Sequence, residues 1–349
     1  MTSALDLAAA LGHERVIVVH DPECGLCSVI AIHSSVLGPA VGGTRMRAYP
    51  SFDAAVADAL ALSRAMTYKA AYAGLALGGA KAVVDADPAR PDKRRLLAAH
   101  ARAVAELEGR FVTGGDMGVD GEDVRFMARY SKAFSHAPPA AGGPDSSELT
   151  AIGVHAGLAA CAAALGRPLA GARVAIQGVG EVGGRLARRL AAAGAELLVA
   201  DVDRERAARV AAESGARVVD PEEVLAAECD LLSPNAAGGA LDAAALARLR
   251  CRAICGAANV QLAESGVGDE LDRRGILYAP DFVASAGGIL SLLFERGELD
   301  AAATVARVER IGYDLGELFS EARREGRAPF RLAERRVEER LAAARRAAG

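Results

Sequence analysis

The sequence predicts an α/β protein with an N-terminal α/β domain followed by a doubly wound parallel-sheet domain. Three observations predict this. At 349 residues the chain is long enough for two domains, each with its own core. Through the second half, short apolar runs alternate with Ala/Leu/Arg-rich helical segments, the pattern of a parallel sheet with crossover helices. Within it, the strand-like run Val174-Ala175-Ile176-Gln177 enters Gly178-Val179-Gly180-Glu181-Val182-Gly183, and a helical segment, Arg185 to Ala193, follows. Glycines in a G-x-G-x-x-G turn permit a tight bend, let the backbone approach a pyrophosphate, and let the helix sit close on the strand. The helix N-terminus offers N–H groups and a positive dipole end to the phosphates. The next run, Glu196 to Ala200, ends in Asp201, placed roughly 20 residues after the turn, where an acid holds a ribose 2′-hydroxyl. An acid there repels a 2′-phosphate, so the pattern predicts a Rossmann domain that takes NAD, not NADP.

Taken in order, residues 2–12 read as a short helix. Arg15 to His20 and Ser28 to His33 read as strands, separated by turn residues Asp21-Pro22 and Gly25. Gly38 to Tyr49 is a Gly-rich third strand region. A long amphipathic helix is expected from Phe52 to Tyr72, then a strand from Leu75 to Val84 broken at Gly78-Gly79. A helix over 92–108 and a strand Arg110 to Thr113 complete the first domain. The Pro/Gly-rich segment Pro138 to Pro144 marks the boundary, giving domains 1–145 and 146–349. A helix over 148–165 opens the second. Beyond Asp201, strands are expected at Arg217–Val219, Cys229–Ser233, Ala253–Cys255 and Ile276–Tyr278. Helices are expected at 204–213, 221–226, 242–249 and 269–273. Residues 282–347 read as helical throughout, C-terminal helices that pack back towards the first domain.

A net charge of −4 gives no reason to expect nucleic acid or an anionic membrane as partner. Met1 to Ala10 carries Asp6 and no basic residue, unlike a signal peptide. No uncharged apolar run reaches the roughly 18 residues of a membrane helix, so the cytoplasm is expected. Cys24 and Cys27 are spaced like a redox or zinc pair. They precede or begin a strand-like run instead of opening a helix, and Cys251 and Cys255 do not complete a zinc pattern. They read as reduced thiols, and no metal is expected.

Two lysines sit among small, apolar or aromatic residues: Lys69 at the end of the long helix, and Lys81 after Gly78-Gly79-Ala80. Lys69 suits a helix C-terminus, where the dipole is negative, and Lys81 an edge strand. Both also suit a functional amine. Gly114-Gly115-Asp116 is a turn at a strand end, or an acid presented there.

Taken together, several segments carry a resemblance. They are Gly38-Pro39-Ala40-Val41-Gly42-Gly43-Thr44-Arg45-Met46, Met66-Thr67-Tyr68-Lys69, Leu77-Gly78-Gly79-Ala80-Lys81, Thr113-Gly114-Gly115-Asp116-Met117-Gly118, the Gly178 turn, Tyr278-Ala279-Pro280-Asp281 and Ala286-Gly287-Gly288. In order and spacing, from about residue 15 to 345, they resemble the leucine, valine and phenylalanine branch of the glutamate dehydrogenase-like amino-acid dehydrogenases. The resemblance implies reversible oxidative deamination of an L-amino acid by NAD and water to a 2-oxo acid and ammonia, in a cleft between the domains. It implies that Lys69 binds the carboxylate, that Gly42 and Gly43 let backbone approach it, that Lys81 activates water, and that Asp116 carries the amine proton. Gly178, Val179, Gly180, Gly183 and Asp201 match cofactor positions, as do Thr150 and Asn259 on the nicotinamide side. A homo-oligomer is implied as well.

Some positions depart from the pattern. Ser147-Glu148-Leu149-Thr150 stands where Ser-Pro-Ala-Thr is frequent, Ser285 where an Asn precedes Ala-Gly-Gly, and Val260 where a second amide is common. These leave room for another 2-oxo-acid reaction on the same scaffold, and a non-catalytic NAD-binding regulator is the remaining alternative. Glutamate-specific relatives carry a lysine just before the Gly-Gly pair, and this chain has Val41 there. Ile289 and Leu292 would enter the same pocket at helical spacing. A carboxylate isolated against Val, Ile and Leu costs several kcal/mol, so a non-polar side chain is expected. Gly114 makes that loop resemble the phenylalanine-type version more than the leucine-type.

Overall fold

A computed structural model describes residues 4–134, 145–236 and 238–348. The expected boundary segment, Pro138 to Pro144, lies outside them. The chain divides into two compact units, Met1–Pro138 with Val337–Gly349, and Pro139–Arg336.

In the first unit, α1 (Ala4–Ala10) precedes the antiparallel pair β1 (Arg15–Asp21) and β2 (Leu26–Ser34). The Gly-rich region forms two short strands, β3 (Ala40–Val41) and β4 (Thr44–Arg47), interrupted at Gly42-Gly43. Then come α2 (Phe52–Tyr72), β5 (Gly78–Asp85), α3 (Lys93–Ala105), β6 (Phe111–Val112) and α4 (Gly121–Met127). The sheet order is β1-β2-β5-β3-β6, with β4 also on β5. Alternation along β5 divides its side chains between two layers. Ala80, Ala82 and Val84 join Met46, Leu96, Leu97 and Phe111 on the α3 side. Val83 joins Val29, Ala31 and the α2 residues Ala55, Val56, Ala59 and Leu60 on the other.

Two expectations need correction here. β5 is not broken at Gly78-Gly79; it begins there, because a Cβ on Gly79 would lie 2.0 Å from the Thr67 backbone nitrogen of α2. The glycines let helix and strand touch. α4 was not expected, although its signal was present: Asp120 caps the Glu122 and Asp123 amides while Asp123 returns a bond to the Asp120 amide, a capping box.

In the second unit, α5 (Ser146–Ala164) leads to β7 (Arg173–Gln177), α6 (Glu181–Ala192), β8 (Glu196–Ala200), α7 (Arg204–Ser214) and β9 (Arg217–Val218). β10 (Leu231–Pro234), α8 (Ala243–Arg248), β11 (Ala253–Ile254), α9 (Ser265–Arg273) and β12 (Leu277–Tyr278) follow. The sheet is parallel in the order β12-β11-β10-β7-β8-β9. Numbered from β7, that is 3-2-1-4-5-6, the doubly wound order with its switch point between β7 and β10. The expected helix 221–226 is only a 3₁₀ turn, Val224–Ala226. The expected C-terminal helices are α10 (Asp281–Ala284), α11 (Gly287–Glu295), α12 (Ala301–Glu325) and α13 (Pro329–Ala348). Asp300 caps the start of α12 and Gly326, left-handed at φ +60°, ends it.

By length and composition α5 could cross a membrane, with mean hydropathy 1.2 over its apolar window. Here it is a core helix: Gly153 and Gly157 are so close to Ile311, Val308 and Leu315 of α12 that a Cβ on either would crowd them.

Two buried imidazoles pin the first sheet. His33 Nε2 donates to the Leu11 carbonyl at 3.0 Å while Nδ1 lies 2.8 Å from Thr67 Oγ1. His100 on α3 bonds Ser28 and Thr44. Burial lowers both from 6.5 to about 4. The unfolded chain binds these protons first, so the contribution is intact above about pH 6.5 and is lost as pH falls towards 4, by up to about 3 kcal/mol per histidine. Urea unfolding at pH 7 and 4.5 should show this loss, and His100→Gln should shrink the difference between the two pH values by about one histidine's share.

Candidate active site

The chemistry-bearing side chains of the first unit gather on the α2 side of β5. Lys81 is two residues beyond Gly79 and two before Val83, so alternation aims it at the layer that α2 covers. It is 4% exposed. Its Nζ donates to Asp116 Oδ2 at 2.7 Å. That oxygen also accepts from Arg45 Nε of β4 at 2.8 Å. Arg45 Nη1 reaches Asp58 Oδ2 on α2 at 3.0 Å, and the Tyr49 hydroxyl donates to the same Asp58 oxygen. Lys69, in the last turn of α2, is buried on the helix whose Thr67 abuts Gly79. The structure thus joins Lys81 directly to Asp116 and puts Lys69 on the helix packed over that strand.

Burial lowers the Lys81 pKa, and Arg45 adds to this, while Asp116 pulls the other way. For Asp116, burial acts to raise the pKa, but the Lys81 and Arg45 charges overcome it and hold the carboxyl well below the usual carboxylate range.

Glycine geometry brings the pair together. A Cβ on Gly42 would lie 1.7 Å from the Ala80 carbonyl oxygen, and one on Gly43 would lie 2.7 Å from the Gly115 oxygen and 2.9 Å from Asp116 Cβ. Thr44 N–H donates to Gly114 O and Met46 N–H to Met117 O, zipping the Asp116 loop along β4. The Gly-Gly pair therefore serves packing between Lys81 and Asp116 before any substrate arrives. Val41, just before it, is buried in β3. Sequence reading missed Arg45, Asp58 and Tyr49 as members of the cluster. Arg45 lies in the Gly38–Met46 segment, and Asp58 falls within the amphipathic helix expected from Phe52 to Tyr72.

The second unit carries the nucleotide turn, and each glycine there has a distinct reason. Gly178 is left-handed at φ +85°, tight against Ala236 of the β10 loop. Gly180 caps α6 and has open space where a side chain would be, the access a pyrophosphate needs. Gly183 packs so closely that a Cβ would lie 2.0 Å from the Gly178 oxygen. These residues fit a dinucleotide. Asp201 is buried at the end of β8; its Oδ2 accepts the Val179 amide at 2.9 Å and its Oδ1 the Asp203 amide at 2.9 Å. It ties the turn to β8, and a carboxylate has lone pairs left for a ribose hydroxyl.

Thr150, in the first turn of α5, donates to Ser146 O at 2.7 Å and lies against Gly287-Gly288 of α11. Ile289 on α11 is buried and Leu292 partly so. Around Asn259, three side chains missed in the sequence organise the loop. Asn235 Oδ1 accepts the Ala257 amide, buried Gln261 donates to Gly256 and Ala258 carbonyls, and Asp281 Oδ2 accepts the Gln261 amide. Val260, in the same loop, is left-handed at φ +53°. An Asn tolerates that conformation, and a β-branched residue is strained in it.

A doubly wound sheet with this turn, together with an α/β unit in which buried Lys81 meets Asp116, points to an NAD-dependent dehydrogenase. Residues 13–133 match the model of the Glu/Leu/Phe/Val dehydrogenase dimerisation domain, and residues 198–303 that of the glutamate/leucine/phenylalanine/valine dehydrogenases. Leucine dehydrogenase of Bacillus subtilis is 38% identical over 96% of this chain and 93% of its own. Valine dehydrogenase of Streptomyces virginiae is 42% identical over 96% and 95%. The crystal structure of L-tryptophan dehydrogenase from Nostoc punctiforme superposes with a TM-score of 0.77 at 35% identity, covering 99% of this chain and all of that one. The chain belongs to the glutamate/leucine/phenylalanine/valine dehydrogenase family, in its leucine, valine and phenylalanine branch.

Two substitutions test the local geometry. Gly43→Ala should push Asp116 away from Lys81 and abolish most turnover while circular dichroism stays native. Val260→Asn should relieve about 1–2 kcal/mol of left-handed strain and raise the melting temperature by a few degrees.

Proposed function

We propose that the chain catalyses the reversible NAD-dependent oxidative deamination of a non-polar L-amino acid to its 2-oxo acid and ammonium. The observation that carries this reading is the buried Lys81 amine, 2.7 Å from a partly exposed Asp116 carboxylate, in a chain of this family. In it, the Lys69 ammonium pairs with the substrate carboxylate. Asp116, held ionised by its two cations, accepts from the substrate amino group and passes its proton on. Lys81, its ammonium destabilised by burial, becomes neutral readily enough to take a proton from the water that attacks the iminium carbon. Gly178, Val179, Gly180, Gly183, Asp201, Thr150 and Asn259 would hold NAD, which when bound accepts the hydride leaving the α-carbon.

Val41 and Gly114 of the first unit and Ile289 and Leu292 of the second are the residues proposed to receive the substrate side chain. None of these four can compensate a second carboxylate, and the cost of stranding one is several kcal/mol. The named relatives act on leucine, valine and tryptophan, which supports an apolar pocket and not one size. The chain is proposed to work as a homo-oligomer, supported by the match of residues 13–133 to a dimerisation domain and by the edge strand β1 with exposed Val18. Six free thiols support a reducing compartment, the cytoplasm.

NADH formation with L-leucine, L-valine, L-phenylalanine and L-glutamate tests the reading. One of the first three should exceed glutamate at least about 100-fold in kcat/KM, the equivalent of about 3 kcal/mol. Lys81→Ala should lower kcat by about 10²–10⁴; an unchanged kcat would refute its role.

A further inference from the structure

The Lys81–Asp116 pair does not stand alone. Asp116 Oδ2 is shared between Lys81 Nζ at 2.7 Å and Arg45 Nε at 2.8 Å, and Arg45 spans to Asp58 at 3.0 Å. The Arg45 side chain is 12% exposed. The result is a row of alternating charge, Lys81–Asp116–Arg45–Asp58, drawn from β5, a loop, β4 and α2. The Tyr49 hydroxyl closes the row by donating to Asp58.

We propose that Arg45 and Asp58 are positioning residues that set, with opposite signs, how readily Lys81 gives up its proton. This inference rests on the reading of Lys81 as the base that activates water. A guanidinium does not deprotonate under working conditions, so Arg45 keeps its charge while Lys81 cycles. It competes with Lys81 for one Asp116 oxygen and repels the ammonium, which eases proton loss. It also holds Asp116 ionised and in place once Lys81 is neutral, when the carboxylate would otherwise lose its cation. Asp58 acts in the opposite sense, drawing the guanidinium towards α2 and supplying negative charge that favours the protonated amine. Both effects match the directions in which the two side chains bias Lys81. The other charged and titratable groups facing this layer are Lys69 on α2, Tyr49 after β4, and His33 on β2, two residues along from the strand partner Ala31.

The measurement is the pH profile of kcat for amino-acid oxidation by the intact enzyme saturated with NAD, in the wild type, Arg45→Gln, Arg45→Lys and Asp58→Asn. Activity should rise with pH as Lys81 loses its proton. Arg45→Gln should move that rising limb up by about one pH unit, recovering part of its kcat at higher pH, and Asp58→Asn should move it down. Arg45→Lys should restore the limb towards its original position. A uniform loss of kcat across pH with the limb unmoved, or shifts of the same sign in Arg45→Gln and Asp58→Asn, would overturn the proposal. Near-ultraviolet circular dichroism identifies a variant that has not folded; if Arg45→Gln fails there, the direction of the Asp58→Asn shift decides. Failure of the underlying reading looks different: Lys81→Ala would then keep wild-type kcat and its limb.

Discussion

An amine can be buried in a protein only beside something that repays its lost hydration. Stranding one charge costs several kcal/mol, and removing a partner from a buried pair costs about 3–5 kcal/mol. Lys81, 4% exposed on a central strand, meets that constraint through one carboxylate oxygen at 2.7 Å. Much of the first unit follows from it. The Asp116 loop must come within reach of β5, so β4 holds it by backbone hydrogen bonds at Thr44 and Met46. The chain must cross Ala80 and Gly115 without side chains, which dictates Gly42 and Gly43. α2 must lie flat on β5, which dictates Gly79.

The same economy organises the second unit around backbone groups instead of charges. Gly178, Gly180 and Gly183 occupy one turn for three different physical reasons: a left-handed bend, open access and close helix contact. Asp201 stiffens the turn through the Val179 amide, so the backbone of the glycine turn is set in advance. Asn235, Gln261 and Asp281 do equivalent work for the loop around Asn259.

Elements with a single strong periodicity were legible from sequence. α2 runs from Phe52 to Tyr72 as its apolar stripe predicts, and β7, α6 and β8 follow the glycine turn in order. What escaped was set by tertiary contact or by a single capping residue. Gly78-Gly79 looks like a strand breaker because one sequence cannot show Thr67 lying across it. The C-terminal run of helix formers divides at Asp300 and Gly326, where capping overrides a nearly continuous propensity. Among the candidate site residues, Lys69 and Lys81 stood out by type and surroundings, and Asp116 only through the resemblance of its segment. Arg45 and Asp58 did not, since a charge on an amphipathic face or beside a glycine pair looks solvated until its partner from a distant segment is known.

The first unit is discontinuous in the chain, and this has a consequence for biosynthesis. Val337–Gly349 belongs to it, and from α13 Arg340 donates to the carbonyls of Ala71 and Leu75, closing the end of the helix that carries Lys69, while Tyr68 bonds Glu338. A ribosome adds roughly 5–20 residues per second. The nascent first unit must therefore wait on the order of ten seconds or more, with its helix end unsealed, until the whole nucleotide-binding unit has emerged. The order of folding is thus reversed from the order of translation: the part made first is completed last.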